Sequence, residues 1–541
     1  MTIDAIDLHE ARRRRKRKAV ESPRNDDNRP LIRIVAGELP RVVDEGERAL
    51  IGSRAEVYQR GGLLVRPGYC PVTVDKGKVA KGLRLIPVTT PNLVELMTAA
   101  ARWEKFDARV EDWVSTDCPG RVAEVYAARA GSWRLPVLTG IIESPTLRPD
   151  GSILDKPGYD RRTGLLLLPT CKVPPIPALP SREDALVALG KLEKLIDTFP
   201  FVPSGVPDHS PDRSVALSAI LTTIVRRSLA TAPLHGFTAP VAGSGKSLLV
   251  DIASQIATGR QAAVMSQGKT EEEFEKRLGG MLIGGDLLVS VDNCETPLGG
   301  ELLCQTLTQP TLKVRPLGQS AMVEVPTNTG LFATGNNLTL IGDMTRRSVV
   351  CRLDPQCERP ELRKFGSHPL AMIEAARGEY VAAALTVLRA YWVAGRPNRL
   401  PPLGSFTEWS DTVRSALAWL GEADPCETME DVRGSDPTLD NLSAVLATWR
   451  AVIGMERVTV AEVIRRATRT RADTIARPEY EHPEFREALL VVAGDGGAIN
   501  SRKLGKWLAK HKGRIVDRTQ LNQEGKYEGN LTWRIAVHAQ P

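Results

Sequence analysis

The string Pro240-Val241-Ala242-Gly243-Ser244-Gly245-Lys246-Ser247 constrains this chain more than any other stretch. It follows a short apolar run and opens a helical pattern from Leu248 to Thr258, so it reads as strand, tight loop and helix. Gly243 and Gly245 allow the backbone to curl until successive N–H groups point at one spot. The positive end of the new helix adds to the same spot. There Lys246 supplies a point charge for the β- and γ-phosphates of a nucleotide, and the Ser247 hydroxyl is a magnesium ligand. Val241, Ala242 and Ser244 complete the phosphate cradle. The first position of the P-loop pattern, normally glycine, is Pro240, while the cradling half from Gly243 to Ser247 is intact. The alternative is a Gly/Ser turn that merely precedes a lysine.

Downstream signals recur in a fixed order. Asp286 to Asp292 is a buried-strand pattern ending in a carboxylate, about 45 residues after the loop. A strand beside the P-loop strand puts Asp292 where it holds the magnesium. The next residue is Asn293, and the nearest carboxylate is Glu295. Glu295 is the candidate base, with Asn293 orienting it or the water; otherwise Glu295 caps a helix beginning near Pro297. Gly330 to Asn337 is a second apolar strand with a polar end, and Asn336 is chosen over Asn337 as the residue that bonds the γ-phosphate and lytic water. Arg346 and Arg347 follow Asp343; either suits a guanidinium that reaches a neighbouring subunit's nucleotide, the alternative being an ion pair with Asp343.

Between the two strands, Thr311 to Val325 reads as a β-hairpin around a Leu-Gly-Gln-Ser turn. In a ring ATPase such a hairpin enters the pore, where Lys313, Arg315 and Gln319 meet a sugar-phosphate backbone; on an outer surface it is an ordinary hairpin. Residues 497–541 carry nine basic residues against three acidic ones. A helix near 501–511 turns Leu504, Trp507 and Leu508 inward and Lys506, Lys510 and His511 outward, and strand-like pieces follow. Helix plus wing outlines a winged-helix module that presents Lys506, Lys510 and Arg514 to duplex DNA; the alternative is a basic subdomain that binds protein.

The remaining organisation follows from length and composition. A chain of 541 residues exceeds one core, since cores stop growing near roughly 250–300 residues. Residues 1–30 read as a disordered basic tail, in which Arg12 to Lys18 alone equal the net charge of +7. Residues 31–168 read as a mixed α/β N-terminal domain, with one amphipathic helix over 91–106 that carries Leu93, Leu96, Met97, Ala100 and Trp103 on one face. Residues 169–234 combine a Pro-rich linker with a helical collar. The ATPase core covers 235–365, a helical lid and C-terminal helical region 366–492, and the basic module 493–541. The expected fold is α/β: a P-loop NTPase core, a mixed α/β N-terminal domain, a helical lid and a C-terminal winged-helix-like module. The eight cysteines are scattered without a C-x-x-C pair, which argues against zinc and disulfides. No apolar run spans a bilayer, so the expectation is a cytoplasmic protein with no membrane partner.

The core resembles the superfamily 3 and AAA+-type helicases of bacteriophages and integrated mobile elements, often fused to or partnered with a primase. The residues that carry the resemblance are 240–247, Val291-Asp292-Asn293-Cys294-Glu295, the hairpin around Val314 to Gly318, Ala333 to Leu338, and Asp343 to Arg347, with Pro157 to Asp160 upstream. The resemblance implies a homohexameric ring that uses ATP and Mg2+ and translocates on single-stranded DNA. Pro240 and Asn293 depart from the usual pattern. No primase site is evident, so a primase would be a separate protein. Two other readings stay open: a DNA-binding AAA+ ATPase that does not unwind (initiator, switch or defence component), and an origin-binding protein whose ATP site is structural.

Overall fold

The computed structural model describes residues 28–538 apart from 74–78, 317–321, 364–367, 435–436 and 471–478. The basic run at Arg12 to Lys18 and the hairpin tip with Gln319 lie outside the described residues. The chain forms two compact units, residues 1–139 and 140–541.

The first unit is mixed α/β. Strand Leu31–Ile34 pairs parallel with Arg102–Asp107, which pairs antiparallel with Asp112–Thr116. Helices Leu39–Gly52, Thr90–Ala100 and Gly120–Ala127 pack a core that includes Val43, Leu93, Met97, Trp103 and Tyr126. The single helix expected over 91–106 ends at Ala100, because the chain from Arg102 pairs with a distant strand. Trp103 keeps its expected burial but reaches the core from that strand.

The second unit is organised by a five-stranded parallel sheet: β1 (Leu234–Ala239), β2 (Ala263–Ser266), β3 (Leu288–Asp292), β4 (Gly330–Asn336) and β5 (Ser348–Arg352), in the spatial order β2-β3-β4-β1-β5. In β3 and β4 every residue but the last is buried, as expected of a sheet covered on both faces. The crossovers include α1 (Lys246–Thr258), α2 (Glu271–Gly284) and α3 (Glu301–Thr308). β4 lies between β1 and β3, so the Asp292 strand is one strand removed from the P-loop strand rather than beside it.

The N-terminal boundary expected at 168 falls at 139 instead, because residues 140–168 are bonded into the second unit. Strand Gly140–Ile142 pairs with Leu165–Leu167, Thr146 Oγ1 donates to Ile224 O at 2.8 Å, and buried Glu143 pairs with Arg260 at 2.6 Å. The proline stretch is irregular, as proline dictates, but it is no free linker. Arg389, on α4 (Pro369–Val393), donates to Ala178 O at 3.1 Å and to Gly151 O at 2.6 Å. Among the described residues no helix is long and apolar enough to cross a membrane.

The C-terminal module begins near 437 rather than 493. One apolar core runs from Leu442 on helix Pro437–Val452, through helices Val460–Ala467 and Pro483–Ala493, to Trp533 and Ile535. It includes α5 (Ser501–His511), and the antiparallel strands Thr519–Tyr527 and Asn530–Val537 form the hairpin beyond it. Leu504 and Leu508 are buried as expected, and Trp507 is half-buried. His511, expected outward, is buried as well: its Nδ1 lies 2.8 Å from Trp507 O and its ring packs at a tilt against Trp507 with centroids 4.4 Å apart. Positions 504, 508 and 511 are spaced i, i+4, i+7 and share one helix face.

Candidate functional site

In an open parallel sheet, ligands bind outside the carboxyl ends of the strands, where the strand order reverses. Here β3 and β4 end in Asp292 and Asn336 at that edge, and β1 leads out of the sheet there. β1 runs into the loop at Pro240, and α1 starts at Lys246 after a left-handed Gly245, whose φ of 100° suits glycine and almost nothing else. The helix has no side-chain N-cap. Among the described residues no acceptor meets the backbone amides of Gly243, Ser244, Gly245, Lys246 or Ser247, and polar N–H groups seldom stay unmatched except where a ligand or water satisfies them. Ser244 is committed otherwise: its hydroxyl donates to Val241 O at 2.7 Å and closes the loop.

Two side-chain pairs knit the edge together. Lys246 Nζ donates to Asn336 Oδ1 at 2.8 Å and to Val241 O at 3.1 Å. Ser247 Oγ donates to Asp292 Oδ1 at 3.1 Å. Burial lowers the pKa of Lys246, and the nearby Asp292 carboxylate acts in the opposite direction. Asn336 is exposed, and it is the member of the Asn336-Asn337 pair that meets the lysine; Asn337 instead turns with φ of 51° and gives its N–H to Ala239 O at 3.0 Å. Half-buried Lys246 aimed over unmatched amides, with a hydroxyl and a carboxylate alongside, is a donor set that suits a polyphosphate and a hard divalent cation. Gly243 to Ser247 would hold the phosphates, and Ser247 with Asp292 the magnesium.

Beyond Asp292 the chain makes a tight turn. Asn293 has φ of 52°, and its side-chain amide donates to Glu295 Oε1 at 3.0 Å. Both side chains are exposed. Glu295 caps no helix: α3 starts at Glu301, whose N–H is met by Glu271 Oε1 at 3.3 Å. Cys294 is buried beneath the turn, which raises its thiol pKa to about 12 and leaves it inert.

Thr334 was not singled out from sequence, yet it stands at the centre of this turn. It is 1% exposed, and its hydroxyl donates to Asp292 Oδ1 at 2.6 Å while it accepts Asn293 N–H at 3.1 Å. Its only sequence signal is register: it lies two residues before Asn336 on the same strand and so on the same face.

The two arginines part company. Arg347 is turned into its own chain, where it donates to Cys304 O at 2.6 Å, Thr308 Oγ1 at 3.0 Å and Asp343 Oδ2 at 2.8 Å. Arg346 is 60% exposed and is held in a two-pronged pair by Asp343, both contacts at 3.0 Å.

The hairpin is present as strands Thr311–Val314 and Val323–Pro326. Lys313 and Arg315 are exposed; Lys313 stands opposite Glu324, which also accepts from Thr311 Oγ1 at 2.7 Å. Buried Arg226 and Arg227 clamp the segment that joins this hairpin to β4 by donating to the carbonyls of Thr327, Thr329 and Asn328. In the C-terminal module Lys506 and Lys510 are exposed on α5, and Arg514 is half-exposed beyond it.

No protein-family profile and no curated protein matches the chain. Among solved structures, two of the NrS-1 C-terminal region share 11% and 12% identity with it. They cover 82% and 91% of this chain and 98% and 99% of their own, at TM-scores of 0.35 and 0.38. A structure of the JCV helicase shares 14% identity over 51% of this chain and 73% of its own, at a TM-score of 0.23. At such identities and scores the likenesses bear on neither fold nor function.

Proposed function

We propose that this chain is a magnesium-dependent ATP hydrolase that acts as a DNA helicase or translocase in the replication of a phage or integrated mobile element. The observation that carries this reading is the meeting of four side chains from two strand ends and the start of α1: Lys246 with Asn336, and Ser247 with Asp292. Bound Mg-ATP would supply the reactive phosphoanhydride; the roles assigned to the chain are as follows. Lys246 and the loop amides bind and orient the phosphates. Asn336, already bonded to Lys246, is the γ-phosphate and water sensor. Glu295 accepts the proton of the attacking water, and the Asn293 amide fixes which of its oxygens is engaged. Arg346 acts on a neighbouring subunit's site in a homohexameric ring, since its guanidinium is exposed while Arg347 is committed inside its own subunit. Lys313, Arg315 and Gln319 contact single-stranded DNA in the pore, and Lys506, Lys510 and Arg514 contact duplex. A primase would be a separate partner.

A second reading, a DNA-binding ATPase that does not unwind, is favoured by two observations. Asn293 stands directly after Asp292 where a carboxylate is usual, and Glu324 faces Lys313 across the hairpin. One assay separates the readings. Wild-type protein with ATP and Mg2+ should displace the strand of a forked duplex, and Lys246→Ala should abolish both hydrolysis and displacement. DNA-stimulated hydrolysis without displacement would select the second reading, and unchanged turnover in Lys246→Ala would refute the site.

A further inference from the structure

Thr334 makes three bonds to the turn that follows β3. Its hydroxyl donates to Asp292 Oδ1, the same hydroxyl accepts from Asn293 N–H, and its carbonyl accepts Cys294 N–H at 2.7 Å. A hydroxyl carries one proton and two lone pairs, so a donor and an acceptor partner together fix its rotor. The threonine is itself buried in β4, paired with β1 on one side and next to the β3 register on the other. The turn passes so close to β4 that a Cβ on Gly335 would lie 2.8 Å from Cys294 O, which requires glycine there. The 2.6 Å contact to Asp292 is among the shortest in the site. Both Thr334 and Ser247 address Oδ1 of Asp292, and among the described residues nothing meets Oδ2.

We infer that Thr334 is the positioning residue for magnesium at this site: it pins the Asp292 carboxylate by Oδ1 and leaves Oδ2 open to the cation or its water. By holding Asn293 in its left-handed turn, it also sets where Glu295 arrives. The inference rests on the nucleotide-site reading above and assigns it one more residue. The strand that carries the Asn336 sensor thereby also aims the metal ligand, because positions 334 and 336 share a face. A shift of β4 along its axis would move both together.

The test is ADP binding by calorimetry on the full chain, once with excess Mg2+ and once in EDTA, for wild type, Thr334→Val and Thr334→Ser. In Thr334→Val, affinity in EDTA should stay within about two-fold of wild type, while the gain conferred by Mg2+ should fall about ten-fold or more, the usual effect of losing a group that orients a metal ligand. Thr334→Ser keeps the hydroxyl and should retain the gain. If Thr334→Val does not fold, Thr334→Cys, of similar size but a weak donor, should show the same loss. A full Mg2+ gain in Thr334→Val or Thr334→Cys overturns the inference, as does a loss in Thr334→Ser equal to that in Thr334→Val. Failure of wild type to take up ADP at all, or uptake by Lys246→Ala equal to wild type, refutes instead the nucleotide site on which the inference stands.

Discussion

The carboxyl edge of the central sheet and the basic face of the C-terminal module both present cations to solvent, but they are built differently. At the sheet edge each functional side chain has a fixed partner: Lys246 has Asn336, Ser247 and Thr334 have Asp292, and Asn293 has Glu295. On α5, Lys506 and Lys510 form no ion pair among the described residues; only Lys503 nearby is paired, with Asp495 at 3.4 Å. The first arrangement pre-pays orientation and suits chemistry, in which a misplacement of about 1 Å costs about a hundred-fold. The second suits a polyanion whose phosphates are bound mostly through charge. Geometry is selected in one region and net charge in the other, and substitutions should divide the same way.

The largest expected effect lies in the arginine pair. Arg346→Ala should lower ATP turnover by about a thousand-fold or more with folding intact, because an arginine at a transferring phosphoryl group is worth that much. Arg347→Ala should do the reverse, removing about 1–3 kcal/mol of stability with the bonds its charged guanidinium donates to Cys304 O and Thr308 Oγ1, although Thr308 Oγ1 still donates to Cys304 O. The discriminating measurement mixes each variant with wild type: Arg346→Ala should depress the mixture more than its share, and Arg347→Ala should not. Proportional behaviour by Arg346→Ala would remove the trans-acting role and leave the sheet edge complete within one subunit.

What the sequence discloses follows the same division. The Gly243 to Ser247 turn is legible because the function proposed for it is written in covalent spacing: glycines, lysine and serine must be neighbours. Asp292 and Asn336 are legible because each ends an apolar strand, and parallel strands deliver their ends to one edge. Thr334 is not legible, because it lies inside such a run, and only the tertiary register brings its hydroxyl to Asp292. Strand order is hidden for the same reason; nothing local says that β4 separates β1 from β3. Trp103 shows tertiary pairing that overrides a helical pattern, since its strand partner lies far away at Ile32. Prolines signal irregular backbone but do not reveal that Arg389 ties Ala178 O and Gly151 O into the second unit. The burial of His511 is written in its i+7 spacing to Leu504, a period that its polar ring obscures.

A smaller effect tests the charge-selected half of the comparison. Lys506→Ala combined with Lys510→Ala should weaken duplex DNA binding by roughly ten-fold and lower the salt slope of log K by about 2, one per lost phosphate contact, with little dependence on DNA sequence. ATP turnover without DNA should be unaltered. A sequence-selective loss would mean that these lysines read bases. An unchanged slope would take the phosphate contacts off this face of α5, and the division between the two regions would then need another cationic partner.

The smallest effect separates the site from its scaffold along a single strand. His235 lies on β1, the strand that leads into the P-loop, and is buried between Phe332 and Trp409, with ring centroids at 5.6 and 6.2 Å, while Ser218 Oγ lies 3.0 Å from its Nε2. Burial lowers its pKa from the usual 6.5 to about 3, against a weaker opposing bond to the Pro233 backbone. The unfolded chain therefore binds a proton that the folded chain refuses between those values, so stability is intact above the unfolded pKa and declines as pH falls towards 3. From about pH 7.5 to about pH 6 the contribution of this one group is about 0.8 kcal/mol. His235→Gln cannot take up that proton, so denaturant midpoints should show the stability gap between wild type and variant narrowing by that amount over the interval. Magnesium-ADP affinity should stay the same in both, because His235 touches none of the residues at the sheet edge. A pH-independent gap would mean that the imidazole takes up its proton in the fold as readily as in the unfolded chain, and a change in affinity would mean that the buried half of β1 and the proposed phosphate loop that follows it are not separable.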